Sequence, residues 1–183
     1  MGAPEGMYPH CEYFAKRGMV AISVQYRLSK DGNSPPIDAI EDAKSAVRYV
    51  RSNAKSLGID PDRIAAGGAS AGGHLAVSTA IFDKFNAADD PNVSTMPDAL
   101  VLISAAFDTT EKGLGTRILE KFRRQLAWVR QPDANEFSPV EHIRKISSPC
   151  LILHGTADDI VPFESAQRFY KLMKDAGNNC QLT

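Results

Sequence analysis

The run ALVLISAAF (99–107) shows no alternation of polar and apolar residues. Read as a strand, it has no face to give to water, so it must be covered on both sides. That requirement points to a parallel sheet flanked by helices.

The neighbouring segments fit the same plan. MVAISVQY (19–26) is a β-rich run, RIAAGG (63–68) a second strand and CLILHG (150–155) a fourth, while CQLT (180–183) opens a fifth. Helical patterns separate them. Ile40, Ala43, Val47, Val50, Ala54 and Leu57 recur three and four residues apart, which makes one apolar helix face. Glu41, Lys44, Arg48, Arg51 and Lys55 take the opposite, solvent face, and Gly58 stops the helix. A loop, SKDGNSPP (29–36), precedes this helix, and the turn DPD (60–62) follows it. Residues 71–85 read as a helix with Leu75, Ile81 and Phe82 inward, and FESAQRFYKLMKDAG (163–177) as another ending at Gly177. The expected fold class is α/β, a three-layer α/β/α sandwich with a mostly parallel sheet. The 183 residues correspond to a single domain.

Residues 108–149 break the rhythm as an insertion between two strands. Ile118, Leu119, Phe122, Leu126 and Val129 lie at helical spacing, with Trp128 and Phe137 nearby. Two readings stand: a cap over a substrate pocket, or helices packed against the sheet.

Charge removes some function classes. A net charge of −1 gives no reason to expect nucleic acid or an anionic membrane as partner. The cluster Arg117, Lys121, Arg123, Arg124 and Arg130 reads as a solvated helix face. Cys11, Cys150 and Cys180 are odd in number and lack C-x-x-C spacing, so they read as small buried hydrophobes rather than as disulfides or zinc ligands. Nothing calls for a metal or cofactor. No run of 18 apolar residues occurs, and MGAPEGMYPH lacks the basic start and apolar stretch of a signal peptide. The sequence assigns neither a compartment nor an oligomeric state.

The chemistry gathers at AAGGASAGGHLA (65–76), where G-A-S-A-G fits G-x-S-x-G around Ser70. The pattern alone is common, but here it lies between a predicted strand and a predicted helix, as a nucleophile elbow requires. In such an elbow the residues two before and two after the serine approach closely, so Gly68 and Gly72 must lack side chains, and Gly67 and Gly73 relax the approach further. The helix N-terminus adds partial positive charge, and the N–H of Ala71 points at a developing oxyanion. Other glycine motifs fail: position 69 is Ala where a dinucleotide loop begun at Gly67 needs Gly, and His74 follows Gly73 where a P-loop needs Lys. A serine nucleophile needs a base, and the base an orienting acid. Asp158, Asp159 and Asp108 all follow strands at the edge where ligands gather. Asp158 is the preferred acid.

With these residues in place, the chain resembles the α/β-hydrolase family, in its carboxylesterase and acetyl-esterase branch. The matching stretches are YRL (26–28), residues 41–76 through SAGGH, SPVEHI (138–143) and HGTADDIVP (154–162). The resemblance implies hydrolysis of small-molecule carboxylic esters, often with short acyl groups such as acetyl. It carries over Ser70 as nucleophile, Asp158 as acid and Ala71 as an oxyanion donor. Two family parts are absent: the H-G-G-type loop, and a histidine after the acid. The four histidines are His10, His74, His142 and His154, of which His74 and His154 read as structural rather than as substitute bases. The resemblance therefore implies a partial hydrolase domain, cut at both ends and inactive by itself, with its sheet missing a strand between MVAISVQY and RIAAGG. The alternatives are a non-catalytic binding protein of the same fold, or a peptidase or thioesterase.

Overall fold

The computed structural model describes residues 4–28, 35–89, 91–114, 116–124, 126–130 and 132–183. Most of the SKDGNSPP loop, and the side chains of Arg117 and Trp128, lie outside the described residues.

Four strands form one parallel sheet in chain order: β1 (Ala65–Ala69), β2 (Ala99–Ile103), β3 (Cys150–Leu153) and β4 (Cys180–Leu182). Leu100 stands opposite Cys150, and Cys150 opposite Cys180. With every strand running the same way, all four C-terminal ends lie along one edge.

The helices are α1 (Tyr8–Ala15), α2 (Ile37–Ser52), α3 (Ala54–Leu57), α4 (Ala71–Ile81), α5 (Thr116–Lys121) and α6 (Phe163–Asp175). Leu100, Leu102, Cys150, Ile152 and Cys180 share one sheet face by register, and all are buried in a core with Leu75 and Val77 of α4 and Phe169 and Met173 of α6. On the other face Ala99, Val101 and Ile103 are half-buried. The α/β class with a parallel sheet and flanking helices is as expected.

The expected helix through Leu57 is broken at Asn53 into α2 and α3, and Gly58 closes it at φ +67°. Lys44 and Arg48, expected on the solvent face of α2, are buried. The reason is the end of α4. Lys44 Nζ donates to the carbonyls of Phe82 at 2.8 Å and Lys84 at 2.6 Å, and Arg144 donates to those of Ala80 at 2.8 Å and Ile81 at 3.0 Å. Cations there satisfy the orphan carbonyls and meet the negative end of the helix dipole. Accordingly α4 stops at Ile81 rather than at Phe85, which has φ +62°. Arg48 donates to the Val93 carbonyl at 3.0 Å and to Asn86 Oδ1 at 3.0 Å.

MVAISVQY is not a strand. It pairs with none among the described residues, and Met19, Val20, Ile22 and Val24 are exposed. A strand exists only where a neighbour takes up its N–H and C=O groups, and neither this run nor the outer edge of β1 has such a neighbour among the described residues. Cys11, expected buried, is half-buried; Cys150 and Cys180 are buried.

Between β2 and β3 the chain forms α5 and three short 3-10 turns, Ala127–Arg130, Pro132–Phe137 and Pro139–Glu141. Leu119, Val129, Phe137 and Val140 join the main core, with Ile118 and Leu126 packed against it. The N–H of Val140 donates to the carbonyl of Phe107 at 3.1 Å, fastening the segment to the end of β2. Lys121, Arg123, Arg124 and Arg130 are exposed.

Candidate active site

β1 delivers Ser70 at its C-terminal end and α4 begins at the next residue. Ser70 has φ +53° and ψ −117°, a conformation that costs a non-glycine residue about 1–3 kcal/mol. Backbone bonds hold it there: Ser70 N–H donates to Ile103 O at 3.0 Å, and Ser70 O accepts from His74 N–H at 3.1 Å and Ala106 N–H at 3.3 Å. Ala71 opens α4 and is exposed, where first-turn amides have no intrahelical acceptor.

The turn is possible because of particular glycines. A Cβ on Gly68 would lie 2.5 Å from the carbonyl carbon of Gly72, and one on Gly73 would lie 2.5 Å from the Cβ of Ala105. A Cβ on Gly67 would lie 2.9 Å from the carbonyl oxygen of Val101. Gly72 departs from expectation: a Cβ there meets open space, because the close approach runs from the Gly68 side chain direction onto the Gly72 backbone and not the reverse.

Asp158 lies in the loop after β3. Its Oδ1 accepts from the N–H groups of Ile160 at 2.9 Å and Val161 at 3.0 Å, and the Ser104 side chain hydrogen-bonds the same carboxylate. Burial works to raise its pKa. The amides of Val161 and Ile160, the Ser104 hydroxyl and nearby His154 more than offset that, and hold the carboxyl below the usual range. Asp159 is exposed. Asp108 is buried, and both its oxygens are committed: Oδ1 accepts from Thr110 N–H at 3.0 Å and Thr110 Oγ1 at 2.6 Å, and Oδ2 from Arg168 Nη1 at 2.9 Å. Arg168 also pairs with Glu141 at 2.7 Å, so Asp108 links the end of β2, the 138–141 turn and α6.

Each histidine has its own place. His74 is buried on α4. Its Nδ1 stands 3.2 Å from the carbonyl of Ala106, and burial, only partly opposed by that bond, pushes its pKa down to about 4. His154 Nε2 lies 2.8 Å from the carbonyl of Val161 beneath the Asp158 loop, and its side chain is fully buried. His142 Nε2 stands 3.1 Å from the carbonyl of Asn135, and His10 is exposed on α1. Among the described residues no group of three or more His, Cys, Asp and Glu side chains could hold a metal, and no helix is long and apolar enough to cross a membrane.

Sequence reasoning missed Ser104 and Ala106. The loop after β2 holds Asp158 through Ser104 and Ser70 through Ala106, and Ser104 has φ +41°. The available signal was a lone hydroxyl closing an otherwise apolar run.

A strained serine between a parallel strand and a helix N-terminus, on the same sheet edge as a carboxylate fixed by backbone amides, is an arrangement for nucleophilic chemistry. Residues 2–173 match the BD-FAE family model. The chain belongs to the BD-FAE family, a family of α/β-hydrolase esterases. Among curated relatives it is similar to esterase LipC of Mycobacterium tuberculosis, 30% identical over 169 residues, covering 87% of this chain and 41% of the relative. The probable carboxylic ester hydrolase LipM of the same organism is 32% identical over 177 residues, covering 88% of this chain and 39% of the relative. Among solved structures, esterase 2 of Thermogutta terrifontis phosphonylated by sarin superposes with a TM-score of 0.87 at 39% identity, covering all of this chain and 67% of that one. The propionate-bound form gives 0.82 at 40% identity, covering all of this chain and 66% of that one. The BD-FAE chain thus spans about two fifths of these curated relatives.

Proposed function

We propose that the protein of this BD-FAE chain hydrolyses carboxylic esters of short acyl groups, acetyl foremost, with Ser70 as nucleophile, Asp158 as the acid of a Ser-His-Asp triad and the N–H of Ala71 as one oxyanion donor. The observation that carries this reading is the strained φ of +53° at Ser70 with α4 starting at the next residue. The structural likeness to a propionate-bound esterase supports the short acyl group.

In this mechanism Ser70 Oγ attacks the ester carbonyl carbon while the imidazole takes its proton. The oxyanion forms against the N-terminus of α4, where the Ala71 N–H and the helix dipole favour negative charge. The imidazolium then protonates the departing alcohol, and water attacks the acyl-serine by the same route reversed. Asp158, already bound by two amides, stays ionised and orients the imidazole. That base is assigned to none of the four histidines here, since each is engaged elsewhere or exposed on α1. We read residues 1–183 as one partial domain, with 108–149 an insertion packed on the core through Leu119 and Val129.

The test uses the longer protein, with p-nitrophenyl esters of increasing acyl length and a fluorophosphonate probe. Ser70→Ala should lower kcat by about 10⁴-fold or more and abolish labelling. Labelling that survives the substitution would overturn the assignment of Ser70.

A further inference from the structure

Cys150 begins β3 and Cys180 begins β4, and the two are register partners on adjacent parallel strands. Adjacent strands lie about 4.8 Å apart, inside the window of roughly 4.4–6.8 Å that a disulfide spans between Cα atoms. Both side chains are on the sheet face beneath α6, in the core that contains Phe169 and Met173. The thiols already meet, with Cys150 hydrogen-bonded to Cys180.

The two sulfurs have different surroundings. The Cys150 thiol donates to Cys180, and that bond together with burial pushes Cys150 up. Cys180 receives this bond, the nearby Lys174 ammonium in the last turn of α6 and the N–H of Gln181; together these outweigh burial and pull it down. A sulfur with several positive or donating neighbours has the greater thiolate character and attacks first, and an adjacent cysteine, on losing its proton, resolves the sulfenic acid that forms. Cys180 lies on β4, which pairs with β3 alone among the described residues. The proposed ester hydrolysis uses neither cysteine.

We propose that Cys180 and Cys150 form a peroxide-sensitive redox pair that closes into a cross-strand disulfide between β4 and β3. The Cys180 thiolate attacks one oxygen of hydrogen peroxide. The O–O bond breaks, hydroxide leaves and takes a proton from water or buffer, and Cys180 becomes a sulfenic acid. The Cys150 sulfur then attacks the Cys180 sulfur. The S–O bond breaks, and the departing hydroxide takes the Cys150 proton as water. Two cysteines lose two electrons, and one peroxide is reduced to two waters. The link ties β4 to β3.

The test treats the longer folded protein with hydrogen peroxide, blocks remaining thiols, and maps peptides without reductant. Cys11, half-buried on α1, is the internal reference. The expected result is a Cys150–Cys180 peptide that dithiothreitol reverses, a higher melting temperature for the oxidised chain, and a dimedone adduct on Cys180 in Cys150→Ser. In Cys180→Ser, Cys150 should stay reduced. Oxidation of Cys11 while Cys150 and Cys180 remain thiols would overturn the proposal, as would unchanged oxidation of Cys150 in Cys180→Ser. Because these readouts involve neither Ser70 nor ester turnover, they stand or fall independently of the proposed function.

Discussion

The N–H of Ala106 donates to the carbonyl oxygen of Ser70 at 3.3 Å, so the loop after β2 is fastened to the peptide of the serine that follows β1. Two residues earlier in that loop, the Ser104 side chain bonds the carboxylate of Asp158, which follows β3. The middle strand thus supplies no proposed triad member, yet its loop contacts both. The His74 ring reinforces the arrangement by its contact with Ala106 O.

The elbow glycines should differ sharply on substitution. Gly68→Ala drives a methyl into the backbone of Gly72 at 2.5 Å, where no flexible side chain can yield. Overpacking of this kind costs about 1–3 kcal/mol or more. Gly72→Ala places its methyl in open space within α4, where Ala is favoured over Gly by up to about 1 kcal/mol. Urea unfolding should therefore show a large loss for the first and none for the second. Equal losses would mean that the elbow is packed differently.

Asp158→Asn in the active protein should lower kcat by about 10⁴-fold with the fold retained, because the amide misorients the imidazole. Asp108→Asn should instead lower stability by about 1–3 kcal/mol, since it weakens the bond from Arg168, while kcat changes little. The pH dependence of stability separates them further. The Asp158 pKa is lowered in the folded chain, so its contribution is present at neutral pH and is lost as pH falls through its folded value, below the usual carboxylate range. Asp158→Asn should remove that acid-side loss. A collapse of kcat in Asp108→Asn would make Asp108 the triad acid.

Lys44 predicts a slope on the alkaline side. Burial pushes its pKa down to about 8, against about 10.4 in the unfolded chain. The unfolded state then holds the proton more tightly, so this residue makes stability rise between about pH 8 and about pH 10. Lys44→Met should flatten that rise in urea titrations compared with the parent chain. It should also lower stability at neutral pH by about 1–3 kcal/mol, because the carbonyls of Phe82 and Lys84 lose their donor. An unchanged slope would show that Lys44 titrates as an exposed lysine.

What was legible depended on whether the signal was local. ALVLI and CLIL are apolar runs with a partner on each side, and both are strands. MVAISVQY carries the same composition, but strand formation depends on pairing, which no run of residues encodes alone. Lys44 and Arg48 recur on the polar side of a helical period, so they read as solvated; their carbonyl partners Phe82 and Val93 are 38 and 45 residues away in the chain, beyond the reach of any periodicity. Ser70 and Asp158 were legible because each sits within a short motif. Ser104 was not, because its relation to Asp158 exists only once β2 and β3 pair.

The last prediction concerns the base. The reaction proposed for Ser70 needs an imidazole that takes its proton and that Asp158 orients. Among the described residues no hydrogen bond joins the Ser70 hydroxyl to an imidazole. His74 is nearest in sequence, but its pKa of about 4 makes it a weak base at neutral pH, and one ring nitrogen is taken by Ala106 O. His154 is fully buried and bound to Val161 O, and His142 is bound to Asn135 O. His10 sits on α1, none of whose residues is buried. A serine without a base is a poor nucleophile, and a site lacking one oxyanion donor loses roughly 10²–10³ more. The 183-residue chain alone should therefore hydrolyse p-nitrophenyl acetate no faster than the same chain with Ser70→Ala. A longer polypeptide that adds an upstream H-G-G-type loop and a histidine after Asp158 should give Ser70-dependent turnover. If the short chain turns over substrate and Ser70→Ala abolishes it, one of the four histidines is the base, and His74→Leu and His154→Leu would then identify which.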